Sequence, residues 1–257
     1  MKRHDRAVRY GSSLGIIVLA FCVVAAPLAA APPDDAGKPV AAVAEPPQKK
    51  TRTLGIVLYP RFELLDVYGP AEIFGNVGSR LKVAMVAEKA GPVASVQGPK
   101  VIADYGFDDC PELDLIMVPG GFGTMTELNN PAFMDWLKAR AEKAEIVMSV
   151  CSGSALLAKA GLLDGRRATS NKRYFQMAAD QGPKVNWIRK ARWVDDGDRV
   201  TSSGVSAGMD MALHVVDRLF GMKTAESIAD GTEYQWHRDA DNDPFYKPPV
   251  AKESVAK

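Results

Sequence analysis

Three short apolar runs constrain this chain more than any other feature. Residues 54–59, 113–118 and 145–150 each end on a turn signal: Pro60, Pro119-Gly120-Gly121 and Cys151-Ser152-Gly153. Each is too short for a buried helix and lacks the alternation of a strand with one wet face. Such runs read as strands covered on both sides. Between them lie helix patterns at 65–77, 130–144, 152–160 and 206–220. Asn130-Pro131 supplies a cap and a first-position proline, and Gly221 a stop. Further strands are expected at 82–88, 93–96, 101–103 and 200–202. Strands alternating with helices predict an α/β domain, a parallel sheet sandwiched by helices, over residues 54–242. Ligands of such sheets bind outside the carboxyl ends of the strands.

The rest of the chain has a different composition. Lys2, Arg3, Arg6 and Arg9 precede an uncharged stretch from Tyr10 to Pro33, and Ala29-Ala30-Ala31 offers a small-residue cleavage site. Residues 1–31 therefore read as a secretory signal peptide, with an uncleaved membrane anchor as the rival. Either places the body outside the cytoplasm, periplasmic or extracellular, with a membrane as partner only if the segment is retained. Five prolines mark 32–53 as a linker, and Pro244, Pro248 and Pro249 mark 243–257 as a disordered tail. A net charge of +1 gives no electrostatic case for nucleic acid.

Three strand ends carry chemistry. In Ser149-Val150-Cys151-Ser152-Gly153 a nucleophile sits at a strand-to-helix corner with small residues two positions either side, the spacing of a nucleophile elbow. A cysteine at a helix N-terminus is expected to favour its thiolate; the alternative is a buried core cysteine. In Pro119-Gly120-Gly121-Phe122-Gly123, glycines after a strand can turn free N–H groups toward an anion, or simply make a turn. In Leu64-Leu65-Asp66-Val67-Tyr68-Gly69-Pro70 an acid stands among apolar residues at a helix start. It serves either the helix dipole or as a proton carrier for Cys151. After residue 31 the histidines are His214 and His237. Neither stands in a catalytic context, so a Cys-His peptidase is not supported. Metal-ligand spacing is absent, and neither metal nor cofactor is expected.

At these residues the chain resembles the ThiJ/PfpI superfamily, and within it the isonitrile hydratases. The matching stretches include Asp66-Val67-Tyr68-Gly69-Pro70, Asp109-Cys110-Pro111, Pro119-Gly120-Gly121-Phe122-Gly123, Ser149-Val150-Cys151-Ser152-Gly153-Ser154, Gly161 to Thr169, Val205 to Asp210, and Glu233-Tyr234. The resemblance spans about 54 to 234. It implies a flavodoxin-like, class I glutamine-amidotransferase-like fold, with Cys151 as nucleophile and Asp66 as its acidic partner. It also implies an oxyanion site from the backbone of Gly121 and Ser152, with Gly120 beside it, a structural thiol at Cys110, and a homodimer acting on a small molecule. Ser152 stands where the hydratase pattern has Thr. Ser170-Asn171-Lys172 stands where it reads Thr-His-Trp, and Ser202-Ser203 replaces a Gly pair. Asn171 can hydrogen-bond a substrate but cannot act as a base near pH 7. The implied reaction converts an isonitrile to an N-substituted formamide through a Cys151 thioimidate. Asp66 is then acid and base, and the Ser152 hydroxyl fixes the substrate. Alternatives are glyoxalase or deglycase chemistry and a redox-sensing envelope protein.

Overall fold

The computed structural model describes residues 51–248; the expected signal segment, most of the linker and the last nine residues lie outside it. The elements in chain order are β1 (Arg52–Val57), α1 (Leu64–Gly75), a 3-10 turn (Gly78–Arg80), β2 (Leu81–Val86), β3 (Gly91–Ala94) and β4 (Lys100–Ala103). They continue with β5 (Leu115–Val118), α2 (Thr124–Glu127), α3 (Pro131–Ala141), β6 (Ile146–Ser149), α4 (Gly153–Lys159), β7 (Arg167–Ala168) and α5 (Phe175–Gln181). The chain closes with β8 (Asn186–Trp187), β9 (Trp193–Asp195), β10 (Arg199–Ser202), α6 (Ala207–Phe220) and α7 (Met222–Gly231). Among the described residues no helix is long and apolar enough to cross a membrane.

The main sheet has the order β2-β1-β5-β6-β10-β9. Every pairing is parallel except β9 against β10. All four residues of β5 and of β6 are buried, so both faces of the sheet centre are covered, as their unbroken apolar runs predict. α3 starts as expected: Asn130 caps it, accepting from the Phe133 N–H at 3.3 Å, with proline next. α6 packs on α1 where side chains are smallest. A Cβ on Gly208 would lie 3.2 Å from Pro70 of α1, and one on Gly69 2.8 Å from Met209 of α6.

In-register pairing brings the chemistry together. Met117 pairs with Ile56 on one side and Met148 on the other, and Ser149 pairs with Thr201. The segments after β1, β5, β6 and β10 therefore emerge side by side at the carboxyl edge.

Two boundaries differ from expectation. β1 begins at Arg52, inside the expected linker, because pairing with Leu81 on β2 carries the strand outward. The expected disordered tail from Asp243 does not hold for its first residues. Asp243 is 3% exposed, its N–H donates to the Lys190 carbonyl, and its carboxylate meets Lys172 and Arg192. A buried acid with two cationic partners holds proline-rich chain that local composition reads as loose.

Candidate active site

β6 runs straight into the elbow. Cys151 has φ 58°, the left-handed region that side chains avoid and active sites tolerate. The corner is tied down on every side. The Cys151 N–H donates to the Ser203 carbonyl at 2.9 Å, and its own carbonyl accepts from the Ser154 and Ser170 hydroxyls, each at 3.1 Å. The +2 residue must be glycine because a Cβ on Gly153 would run into the carbonyls of Val118 and Pro119. Gly120 is equally constrained: its Cβ would lie 2.6 Å from the Ser152 nitrogen and 2.8 Å from Cys151 Cβ.

Asp66 is fully buried on α1. Its Oδ2 accepts the Gly120 N–H at 2.8 Å, while its Oδ1 has no hydrogen-bond partner. Burial raises the Asp66 pKa well above the usual carboxylate range, against the lowering effect of the Gly120 N–H. The Cys151 thiol is likewise pushed well above its ordinary value, by burial first and by the charge of Asp66 second. The Ser152 N–H and the Asn171 side chain pull it back only in part. The expected thiolate therefore does not follow from the helix N-terminus: desolvation in a site only 6% exposed outweighs it.

Asn171 places a hydrogen-bond donor, not a base, at the thiol. Its Oδ1 accepts the backbone N–H groups of Arg173, at 2.9 Å, and Tyr174, at 3.2 Å. That fixes which end of the amide faces the sulfur, and Nδ2 donates to Cys151 Sγ at 3.1 Å. The sequence singles out Ser170-Asn171-Lys172 after β7 without placing them against the thiol. The loop supplies this donor together with Ser170 and Lys172.

The remaining expected groups occupy different places. The Gly120 N–H goes to Asp66, and the Gly121 N–H goes to Ser152 Oγ at 3.1 Å, so neither is left free for an oxyanion. The Ser152 hydroxyl sits in a closed relay. It is 3.0 Å from the Thr124 hydroxyl, which is 3.0 Å from the Tyr59 hydroxyl, which donates to the Pro119 carbonyl at 2.6 Å. Ser152 thus ties the elbow to the β5 loop rather than offering its hydroxyl to a ligand. Sequence spacing could not show Tyr59 or Thr124, whose roles arise only from packing.

Cys110 and Cys151 are both free thiols. Arg140 donates to the Cys110 carbonyl at 2.6 Å, an anchoring contact on the loop that precedes β5. His214 pairs with Asp195 and His237 with the Asn242 carbonyl, away from the thiol's partners. Among the described residues no group of three or more His, Cys, Asp or Glu could hold a metal ion.

A cleft of about 750 Å³ lies one residue away from Cys151, which does not itself line it. Asn171, Ser203 and Gly204 line it, the first two being direct partners of Cys151.

Residues 52–218 match the sequence profile of the DJ-1/PfpI family. The chain is 35% identical over 182 residues to isonitrile hydratase of Pseudomonas putida, covering 70% of this chain and 78% of that one. It is 27% identical over 196 residues to the HTH-type transcriptional regulator GbdR of Pseudomonas aeruginosa, 74% of this chain but 53% of the regulator. Among solved structures, a ThiJ/PfpI family protein from Pseudomonas syringae superposes with a TM-score of 0.68 at 32% identity, over 78% of this chain and 79% of that one.

Proposed function

The chain belongs to the DJ-1/PfpI family, and from that premise we propose that it hydrates an isonitrile to an N-substituted formamide at Cys151. The observation that carries this reading is a fully buried carboxyl, Asp66, whose Oδ1 is left without a protein hydrogen-bond partner and whose charge raises the buried Cys151 thiol while the thiol in turn lowers the carboxyl. The relative named isonitrile hydratase supports it.

The steps balance with these two groups and water. As sulfur attacks the isonitrile carbon, the thiol proton passes to Asp66 and from Asp66 to that carbon, leaving a thioimidate. Asp66, now a carboxylate, takes a proton from water as the oxygen adds to the same carbon. Asp66 passes that proton to nitrogen, the C–S bond breaks as the added hydroxyl becomes the formamide carbonyl, and the hydroxyl's proton returns to the sulfur through Asp66 as the formamide leaves. The first step makes no oxyanion. Gly120 and Gly121 can therefore spend their N–H groups on Asp66 and Ser152. A thiol held protonated by burial is a poor target for peroxide, which disfavours redox sensing.

Export by residues 1–31 and assembly as a homodimer belong to the same proposal. Intact mass of the protein recovered outside the cytoplasm tests the first, and sedimentation velocity the second.

The deciding experiment is turnover of a simple alkyl isocyanide by the full chain beside Cys151→Ala, with formamide followed by NMR. Formamide that depends on Cys151 is the expected result; no formamide from the wild type overturns the reading.

A further inference from the structure

The cleft beside Cys151 has a charge that nothing around it explains. Its walls are the loop carrying Asn171, Lys172 and Arg173, the turn at Ser203–Ser206, Arg189, and a strap from Asp243 to Lys247. The strap lies beyond residue 218, where the family match ends. It is seated by one buried carboxylate. Asp243 accepts from the Ser203 hydroxyl, lies 3.6 Å from Lys172 Nζ and 3.7 Å from Arg192, and accepts the Phe245 N–H at 2.9 Å. So the residue that closes the cleft also holds Ser203, whose carbonyl anchors the Cys151 N–H.

Of the cations on these walls, Lys172 is answered by Asp243, and its Nζ is otherwise spent on Thr169 and the Ala191 carbonyl. Arg173, Arg189 and Lys247 have no acidic partner among the described residues. Arg189 donates to Gln176 at 2.6 Å and lies 4.4 Å over the Phe175 ring. Asp243, the one acid lining the cleft, is already shared. Three uncompensated cations around a concave wall raise the local concentration of anions. A guanidinium held against an aromatic face is preorganised for a carboxylate or phosphate. Phe175, Val205 and Phe245 give the same cleft apolar surface for the body of a ligand.

We propose that this cleft is a subsite for an anionic group, so that the natural substrate of Cys151 carries a carboxylate or another oxyanion on an apolar body. The substrate class rests on the isonitrile reading above; the anion subsite does not, and the test separates the two.

Calorimetric titration of the full chain with 4-formamidobenzoate and with its neutral counterpart, 4-formamidotoluene, measures the subsite without turnover. The carboxylate is expected to bind about tenfold more tightly, the scale of a charge-assisted contact. Arg189→Gln with Lys247→Gln is expected to remove most of that preference; both side chains are exposed, and circular dichroism checks the fold. Equal affinities, binding of neither compound, or a preference unmoved in the folded double variant overturns the subsite. Turnover of 4-isocyanobenzoate and 4-isocyanotoluene is measured in parallel. If the carboxylate preference holds but neither isonitrile yields formamide, the subsite stands and the hydratase reading falls. If isonitriles are hydrated without the preference, the reverse is true.

Discussion

The Gly120 N–H donates to Asp66 Oδ2 over 2.8 Å, joining the acid of α1 to the loop after the central strand. The bond leaves Asp66 Oδ1 unpartnered, and the Asp66 carboxyl acts directly on the charge state of Cys151. Three segments far apart in sequence, around residues 66, 120 and 151, thus meet in one buried polar cluster, the proton-handling unit of the proposed reaction.

Asp66→Asn tests that unit in three ways. Losing a general acid and base should lower turnover by roughly 10²–10⁴-fold. Removing the acidic charge removes one of the causes that raise the thiol. The pH curve for alkylation of Cys151 by iodoacetamide should therefore move to lower pH, with Cys151→Ala as blank. Stability should follow the opposite group. A carboxyl whose folded pKa is raised favours the fold below its unfolded value and loses that benefit as pH rises through the folded one. The variant's stability relative to wild type should therefore grow between about pH 4 and neutrality, measured by urea unfolding.

Asn171→Ala should shift the thiol the other way. The amide is one of the groups that lower the Cys151 pKa, so its loss leaves burial less opposed. Alkylation at fixed pH should slow by roughly fivefold, the scale of one hydrogen bond. A faster reaction would show that Asn171 acts mainly by blocking access.

Gly120→Ala should damage catalysis more than binding. The added methyl would lie 2.6 Å from Ser152 Oγ and 2.8 Å from Cys151 Cβ, so the elbow must move. Overpacking of this kind costs about 1–3 kcal/mol. A displacement near 1 Å costs about 10²-fold in rate, read as a fall in kcat with a smaller change in KM.

Asp243→Ala should destabilise the fold by about 3 kcal/mol in urea unfolding, because it strips a buried carboxylate from Lys172 and Arg192. Lys172 already titrates near 8, lowered by burial and held up by Asp243. Without that acid its pKa should fall further, detectable by NMR of a lysine-labelled sample. No loss of stability would mean that the strap only rests on the surface.

Much of the sheet was legible because its cause is local. Unbroken apolar runs at β5 and β6, short and closed by turn signals, read as strands covered on both faces, and Asn130-Pro131 and Gly221 mark helix ends through their own backbone preferences. The stretch from β7 to β9 was not legible. Its strands are two or three residues long, too short for periodicity to register, and they form only because Ala168 finds Trp187 and Val194 finds Thr201. α7 escaped for a related reason: its buried face is just Ala225, Ile228 and Ala229 in a polar sequence.

The same division runs through the site. The sequence by itself determined that Cys151 stands at an elbow, the place of a candidate nucleophile, and why its neighbours are small, since elbow geometry is a matter of a few adjacent backbones. It also placed an acid on the first helix. Only the tertiary structure decided the charge state of Cys151, because desolvation depends on everything packed around it. Tertiary packing also turned Ser152 and the two glycine N–H groups inward to protein partners, and brought Asp243 from beyond the family's span to hold the cleft wall. Spacing along the chain determines what a corner can be; the solvent and partners that reach it are determined by segments the spacing does not contain.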